Sequence, residues 1–246
     1  MTEPVTEDQL IDGAPALFQP VHGYRFNIDS LLLAAFAATV PVSGLVLDLG
    51  AGVGSVGLSL GQWNHSLHVV LLECQPTLVK LAQRNLVASG CEGEVLELTL
   101  GLSDLPAALQ KQANLVVANP PFFEPTEGRP SRSPSERQAR FGALRPFVKA
   151  AAQALAGPRA RAVFVYPARS LQTFLSVAEA HGLFAKRLRL VHPRHGNEAR
   201  VALVELRRAN PGGLKIESPL FEWAAPGQRC PEFLAFTDAV QTRVQR

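Results

Sequence analysis

The sequence predicts an α/β fold, an open and mostly parallel sheet of seven strands with helices on both faces. Three observations predict it. From residue 45 onward, short apolar β-branched runs alternate with longer segments whose apolar residues recur at three- and four-residue spacing. The first of those runs ends in a cluster of glycines, the way a parallel strand turns into the helix that covers it. The chain has 246 residues, 47% of them hydrophobic and 18% charged, which is enough apolar material to bury one large core and too much for a disordered chain.

The elements follow in order. Residues 1–44 form a lead-in belonging to the same domain: a turn-rich piece ending in GYRFNIDS, then a helix LLLAAFAATV capped by Asp29 or Ser30. Residues 45–246 form the domain that carries the site. Strands are expected near 45–49, 68–73, 94–99, 114–118, 161–166, 186–191 and 200–207, and helices near 54–62, 76–89, 104–111, 141–156 and 169–181. Residues 124–140, rich in Pro, Ser, Arg and Glu, read as a long flexible loop, and the pattern after residue 208 is too irregular to place. No internal repeat is visible.

Composition narrows the function classes. Net charge is +3, with most of the positive charge on arginine, which allows a nucleic-acid partner through its planar, phosphate-matching fork. Cys74, Cys91 and Cys230 are odd in number and widely spaced, so neither a disulfide framework nor a zinc site is expected, and reduced thiols are. The N-terminus is acidic and polar rather than basic then apolar, and no apolar run approaches membrane-spanning length; a soluble, cytoplasmic protein without a membrane partner is expected.

Two stretches carry chemistry. The first, LDLGAGVGSVG, places Gly50, Gly52, Gly54 and Gly57 at the carboxyl end of strand one, where the backbone can turn sharply and a ligand can approach it. Gly52, Gly54 and Gly57 formally satisfy the dinucleotide pattern G-x-G-x-x-G, so a nicotinamide enzyme must be weighed. Asp48, two residues before the first glycine, argues against it: a carboxylate there repels a pyrophosphate and suits the cationic end of a sulfonium ligand. Glu73 ends strand two, where its two oxygens can accept both hydroxyls of a ribose, a use common to both cofactors.

The second stretch is LVVANPPFF, Leu115 to Phe123. In the usual doubly wound order strand four lies beside strand one, so Asn119 to Phe122 would hang over the same edge as Gly50. Pro120 and Pro121 stiffen the chain and hold Asn119 in place. The Asn119 side-chain oxygen and the Pro120 carbonyl can then accept both hydrogens of a planar amino group, while Phe122 offers a flat face for the ring that carries it. Two such bonds would draw the nitrogen toward a tetrahedral shape and localise its lone pair. A base inside a paired or stacked nucleic acid would first have to be extruded. Phe123 reads as core.

Together, LDLGAGVGSVG, the acid at Glu73 and ANPPFF resemble the class I S-adenosylmethionine-dependent methyltransferases that modify exocyclic amines. The lead-in QPVHGYRFNIDSLLLAAFA, the segment ARFGAL and the overall length are similar, more narrowly, to the bacterial valine-tRNA adenine-N6 methyltransferases, over about residues 18–207. The resemblance implies a Rossmann-like methyltransferase fold, S-adenosyl-L-methionine as cofactor with S-adenosyl-L-homocysteine as product, and tRNA as partner. It implies that Asp48, Gly50, Gly52 and Gly54 line the methionine end, that Glu73 holds the ribose, that Asp29 helps to close the cofactor pocket, and that Asn119, Pro120 and Phe122 hold the target base. The family usually has an acid soon after strand three to touch the adenine; Leu102 stands there and Asp104 follows two residues later. Asn114 opens strand four in place of an aspartate. Phe122 replaces the tyrosine commoner in the tRNA adenine enzymes, and NPPF also resembles ribosomal-RNA guanine-N2 methyltransferases.

Arg129, Arg132, Arg137 and Arg140 follow the NPPF turn and are candidates to grip RNA phosphates, although Glu124, Glu127 and Glu136 offset part of their charge and a solvated loop is the plain alternative. His192 and His195 flank Arg194 in HPRHGN but lack a third metal ligand, and a surface loop is expected. Lys186, Arg187 and Arg189 either extend a basic surface or solvate a strand edge. Neither metal nor general base is expected, because the amine can lose its proton to water after attack. A monomer is expected. Beside adenine N6 stand guanine N2, a protein-glutamine methyltransferase holding a side-chain amide, and a non-catalytic module that binds cofactor or RNA.

Overall fold

Alternating apolar side chains on buried strands give the chain two cores, one on each face of a central sheet. In the computed structural model the described residues are 4–9, 16–22, 27–121, 134–238 and 240, with the backbone alone at 134–143. The elements in order are β1 (Val5–Asp8), β2 (Leu17–Pro20), α1 (Ile28–Ala38), β3 (Gly44–Leu49), α2 (Ser55–Trp63), β4 (Leu67–Glu73), α3 (Pro76–Ser89), β5 (Gly93–Glu97), β6 (Leu115–Ala118) and α4 (Pro134–Ala154). Then come β7 (Arg161–Pro167), α5 (Leu171–Ala180), β8 (Phe184–His192), β9 (Val201–Arg207), β10 (Lys215–Ile216), β11 (Leu220–Phe221), β12 (Trp223–Ala225), β13 (Gln228–Arg229) and α6 (Pro231–Asp238).

The sheet runs β10-β8-β9-β7-β6-β3-β4-β5, with β11 also on the outer edge of β8. β9 alone is antiparallel to its neighbours β7 and β8. The seven expected strands are all present; β10 and β11 bring the sheet to nine, two short additions drawn from the segment the pattern could not place. Odd and even residues separate cleanly. Leu47, Leu49, Val116, Ala118 and Phe164 pack under α4 and α5, while Val46, Val117, Val163 and Val165 pack under α1 and α2. Each of the fully buried Leu, Val and Phe side chains among them contributes about 1.5–3 kcal/mol.

Three expectations are corrected. The cap of α1 is Asn27, whose side chain accepts from Asp29 N at 3.0 Å, while Asp29 and Ser30 lie inside the helix. The expected helix 104–111 is only a turn of 3₁₀ helix, Ala107–Leu109, opened by Pro106 and ended before Lys111, whose φ is +58°. Leu105 and Leu109 anchor it without the length a helix needs. The expected loop 124–140 gives way from Pro134 onward to α4, because proline at a first helical position has the right φ and no donor to leave unpaired. Residues 124–133 lie outside the described residues.

Lys186, Arg187 and Arg189 bond within the fold rather than forming an open basic surface. Arg187 donates to Phe36 O at 3.1 Å and Thr39 Oγ1 at 2.9 Å, closing the carboxyl end of α1, and its Nε lies 3.3 Å from the fully buried Glu205. Lys186 is spent on the carbonyls of Asn210 and Gly212. Among the described residues no helix is long and apolar enough to cross a membrane.

Candidate active site

Because β3 and β6 are parallel neighbours with Leu49 opposite Ala118, the next residues, Gly50 and Asn119, leave the sheet side by side at its carboxyl edge. On the other side β4 pairs with β3, so Glu73, the last residue of β4, stands at the same edge. The topology therefore brings the two sequence motifs together.

The glycine turn is built by conformations that side chains resist. Gly50, Gly52 and Gly54 have φ of +68°, +59° and +90°. A Cβ on Gly50 would sit 2.8 Å from the Phe147 ring of α4. Gly54 is the N-cap of α2 and offers no side chain to the free amides of the first turn. Asp48 takes that role from the strand, its Oδ2 accepting from Gly57 N at 2.9 Å. A Cβ on Gly57 would meet Leu71 Cδ2 at 2.6 Å, Val69 Cγ1 at 2.9 Å and the same oxygen at 3.2 Å, so the third glycine of the pattern lets α2 pack close on β4 beside the carboxylate.

Asp48 is buried, and the loss of water raises its pKa from 3.8 to about 7; the Gly57 amide opposes this and the negative charge of Glu73 adds to it. Glu73, also buried, reaches back into the turn. Its Oε2 accepts from Gly52 N at 2.8 Å, and its Oε1 accepts from Cys74 N and Gln75 N, both at 2.9 Å. Two buried carboxylates at one turn, the first held near neutrality, suit a cationic ligand with hydroxyls. The buried hydroxyl of Ser55, beside them at the start of α2, has no hydrogen-bond partner among the described residues. These donors and acceptors fit S-adenosylmethionine.

Asn119 is half-buried, Pro120 buried and Pro121 exposed. Phe122, Arg129 and Arg132 lie outside the described residues, and Arg137 and Arg140 fall in the first turns of α4 with side chains outside the description. Two further candidates are held by cations of their own. Asp29 pairs with Arg200 Nη2 at 2.6 Å, which also pairs with Glu222 at 2.6 Å. These carboxylates hold the Arg200 guanidinium well above its ordinary pKa, against the effect of burial. Asp104 pairs with Lys149 of α4 at 2.7 Å, beside a shallow cleft lined by Leu98, Gly101, Pro146 and Gln153. That partnership lowers the Asp104 pKa. Neither Asp29 nor Asp104 has a described hydrogen bond to the glycine turn. Leu102 is 83% exposed on the loop after β5. Asn114 lies at the opposite end of the sheet, where its Oδ1 accepts from Leu45 N at 3.2 Å, a strand-start contact far from the turn.

Sequence reasoning missed Asn85. It is 1% exposed on α3, and its Nδ2 donates to Val53 O in the glycine turn and to Phe18 O, both at 2.9 Å, while its Oδ1 accepts from Phe18 N at 2.8 Å. It clamps the lead-in to the turn. The signal was present: Leu78, Ala82 and Asn85 share one helical stripe, a polar residue among buried apolar ones. Arg200 and Glu222 were missed as well, and no local pattern marks either.

The strand order with a single antiparallel β9 is that of the class I methyltransferases. A solved structure described as a predicted O-methyltransferase from Agrobacterium tumefaciens superposes with a TM-score of 0.68 at 20% identity, covering 86% of this chain and 96% of that one. Among curated proteins, a tRNA1(Val) (adenine(37)-N6)-methyltransferase of Porphyromonas gingivalis is 27% identical over 233 residues, 89% of each chain. A release factor glutamine methyltransferase of Mycolicibacterium smegmatis is 32% identical over 113 residues, 46% of this chain and 38% of that one. The sequence matches the methyltransferase small domain over residues 27–156, more than half of its length and both halves of the site, and the chain belongs to that family.

Proposed function

We propose that the protein is an S-adenosylmethionine-dependent methyltransferase acting on the exocyclic N6 amine of an adenine in tRNA. The observation that carries this is the Leu49–Ala118 register, which sets the carboxylate-lined glycine turn beside Asn119 and Pro120. The name of the Porphyromonas relative, similar over 89% of each chain, supports adenine in tRNA over other amines.

In this reading Gly50, Gly52 and Gly54 let the cofactor approach the backbone, Asp48 faces its cationic end and Glu73 its ribose. The cofactor supplies an electrophilic methyl group. Asn119 Oδ1 and the Pro120 carbonyl accept the two amine hydrogens, and rigidity at the two prolines fixes both acceptors before the base arrives. That geometry localises the nitrogen lone pair and aims it, and positioning supplies much of the acceleration. Phe122 is assigned the stacking face by its place in the sequence. Asp29 and Asp104, each already ion-paired, are assigned to the walls of the cofactor site, and Arg129, Arg132, Arg137 and Arg140 to phosphates near the extruded base.

The test is incubation of purified protein with labelled S-adenosylmethionine and separated unmodified tRNA and rRNA, followed by nucleoside analysis. Label in tRNA as N6-methyladenosine is expected. Label as N2-methylguanosine in rRNA would overturn the base assignment. The Mycolicibacterium relative gives a second reading, glutamine methylation, and label in a release-factor glutamine would establish it instead.

A further inference from the structure

The carboxyl edge of the sheet does not stop at Asn119. Beyond β6 lie β7, β9 and β8, and Val201, the first residue of β9, pairs with both Pro167 at the end of β7 and Val191 near the end of β8. Residues 192–200 therefore project from the same edge as the NPP turn. At a spacing of about 4.8 Å per strand, their β9 and β8 ends stand about 10 and 14 Å from it. Ala168 N donates to Arg200 O at 3.0 Å, which sets the exposed Arg169 between the two.

This projection is pre-built. His192 Nδ1 donates to Asn197 O at 2.8 Å and Asn197 N to Arg194 O at 3.1 Å, while Glu222 N and Trp223 N tie the base of the loop to His192 O and Pro193 O at 2.9 and 3.0 Å. The rings of His192 and His195 lie 5.4 and 5.3 Å from that of Phe221, which is partly exposed, as is His192, while His195 and Arg194 are exposed. Arg200 is committed to Asp29 and Glu222, and Glu198 is the acidic residue of the loop.

We propose that the 192–200 loop, with Phe221 and Arg169, is a second RNA-contact surface, on which Arg169 and Arg194 hold backbone phosphates and His195 with Phe221 stacks an unpaired base flanking the target. It rests on the tRNA reading above and extends it. Extruding the target base leaves its neighbours unstacked, and aromatic faces beside arginines are the chemistry that recognises single-stranded RNA. A fixed loop adds contacts at little ordering cost. The alternative, a solvated hairpin, predicts no effect of these side chains on RNA.

The experiment measures binding of unmodified tRNA across a salt series, with cofactor affinity alongside, for the wild type, the double variant Arg169→Ala/Arg194→Ala, and His195→Ala. The double variant is expected to bind about tenfold more weakly at low salt, with the log–log salt slope reduced by about two. His195→Ala is expected to weaken binding by about tenfold with the slope unchanged, and cofactor affinity stays at the wild-type value in both. Wild-type affinity and slope in both variants would overturn this surface alone. A wild type that binds cofactor but no tRNA would overturn the tRNA reading and this surface with it.

Discussion

Asp48→Asn separates the two demands placed on the glycine turn. Asp48 titrates near 7 in the fold against 3.8 ordinarily. Between those values the folded state holds a proton that the unfolded chain has released, so stability falls as pH rises through the window, and the penalty is complete above pH 7. At about 1.4 kcal/mol per pH unit it reaches about 4 kcal/mol. Asparagine removes the charge and keeps an oxygen for Gly57 N. Without cofactor, the variant should be more stable than wild type by up to about 4 kcal/mol in urea unfolding at pH 8, with the difference vanishing near pH 4. Cofactor binding should move the other way. A cation beside Asp48 favours its ionised form, so wild-type affinity should rise with pH up to about 7 and then level, whereas the variant should bind at least tenfold more weakly with no such rise. A variant less stable than wild type at pH 8, or a wild-type affinity independent of pH between 5 and 8, would refute this account of Asp48.

Gly57→Ala drives a methyl group against Leu71 and the Asp48 carboxylate, and should cost about 1–3 kcal/mol in thermal or urea unfolding together with a weaker cofactor complex. Glu73→Ala removes the acceptor of three backbone amides, and should lower cofactor affinity at least tenfold in calorimetry while tRNA affinity is retained. Arg200→Ala leaves the buried carboxylates of Asp29 and Glu222 without their shared cation, and should destabilise the fold by about 3 kcal/mol, read as a lower urea midpoint.

Most of the frame was legible because period and punctuation agree with the fold. The runs from Leu45, His68 and Arg161 are mostly apolar, short and rich in Val and Leu, the pattern of strands buried on both faces, and each fell within a residue or two of its place. The NPP turn was legible for a different reason: two prolines cannot continue a strand, and turn chemistry, which explains the prolines, does not require an asparagine before them at the ligand edge. What the sequence hid is long-range. Asp29 carries no sign of Arg200, 171 positions away, and Asn85 could not announce that it joins Phe18 to Val53. Composition misled at Pro134, where proline and serine suit a loop and a helix start equally well. After residue 208, strands of two and three residues are too short for any periodicity to register.

The central claim is that neighbouring turns divide the labour, one holding the cofactor and the other the amine. It is tested most directly by measuring cofactor affinity and single-turnover methyl transfer to tRNA side by side for the wild type and Asn119→Ala. The account predicts affinity within about twofold of wild type and transfer reduced by at least a hundredfold, the scale of losing a positioned acceptor in the transition state. Transfer at the wild-type rate in Asn119→Ala would contradict it.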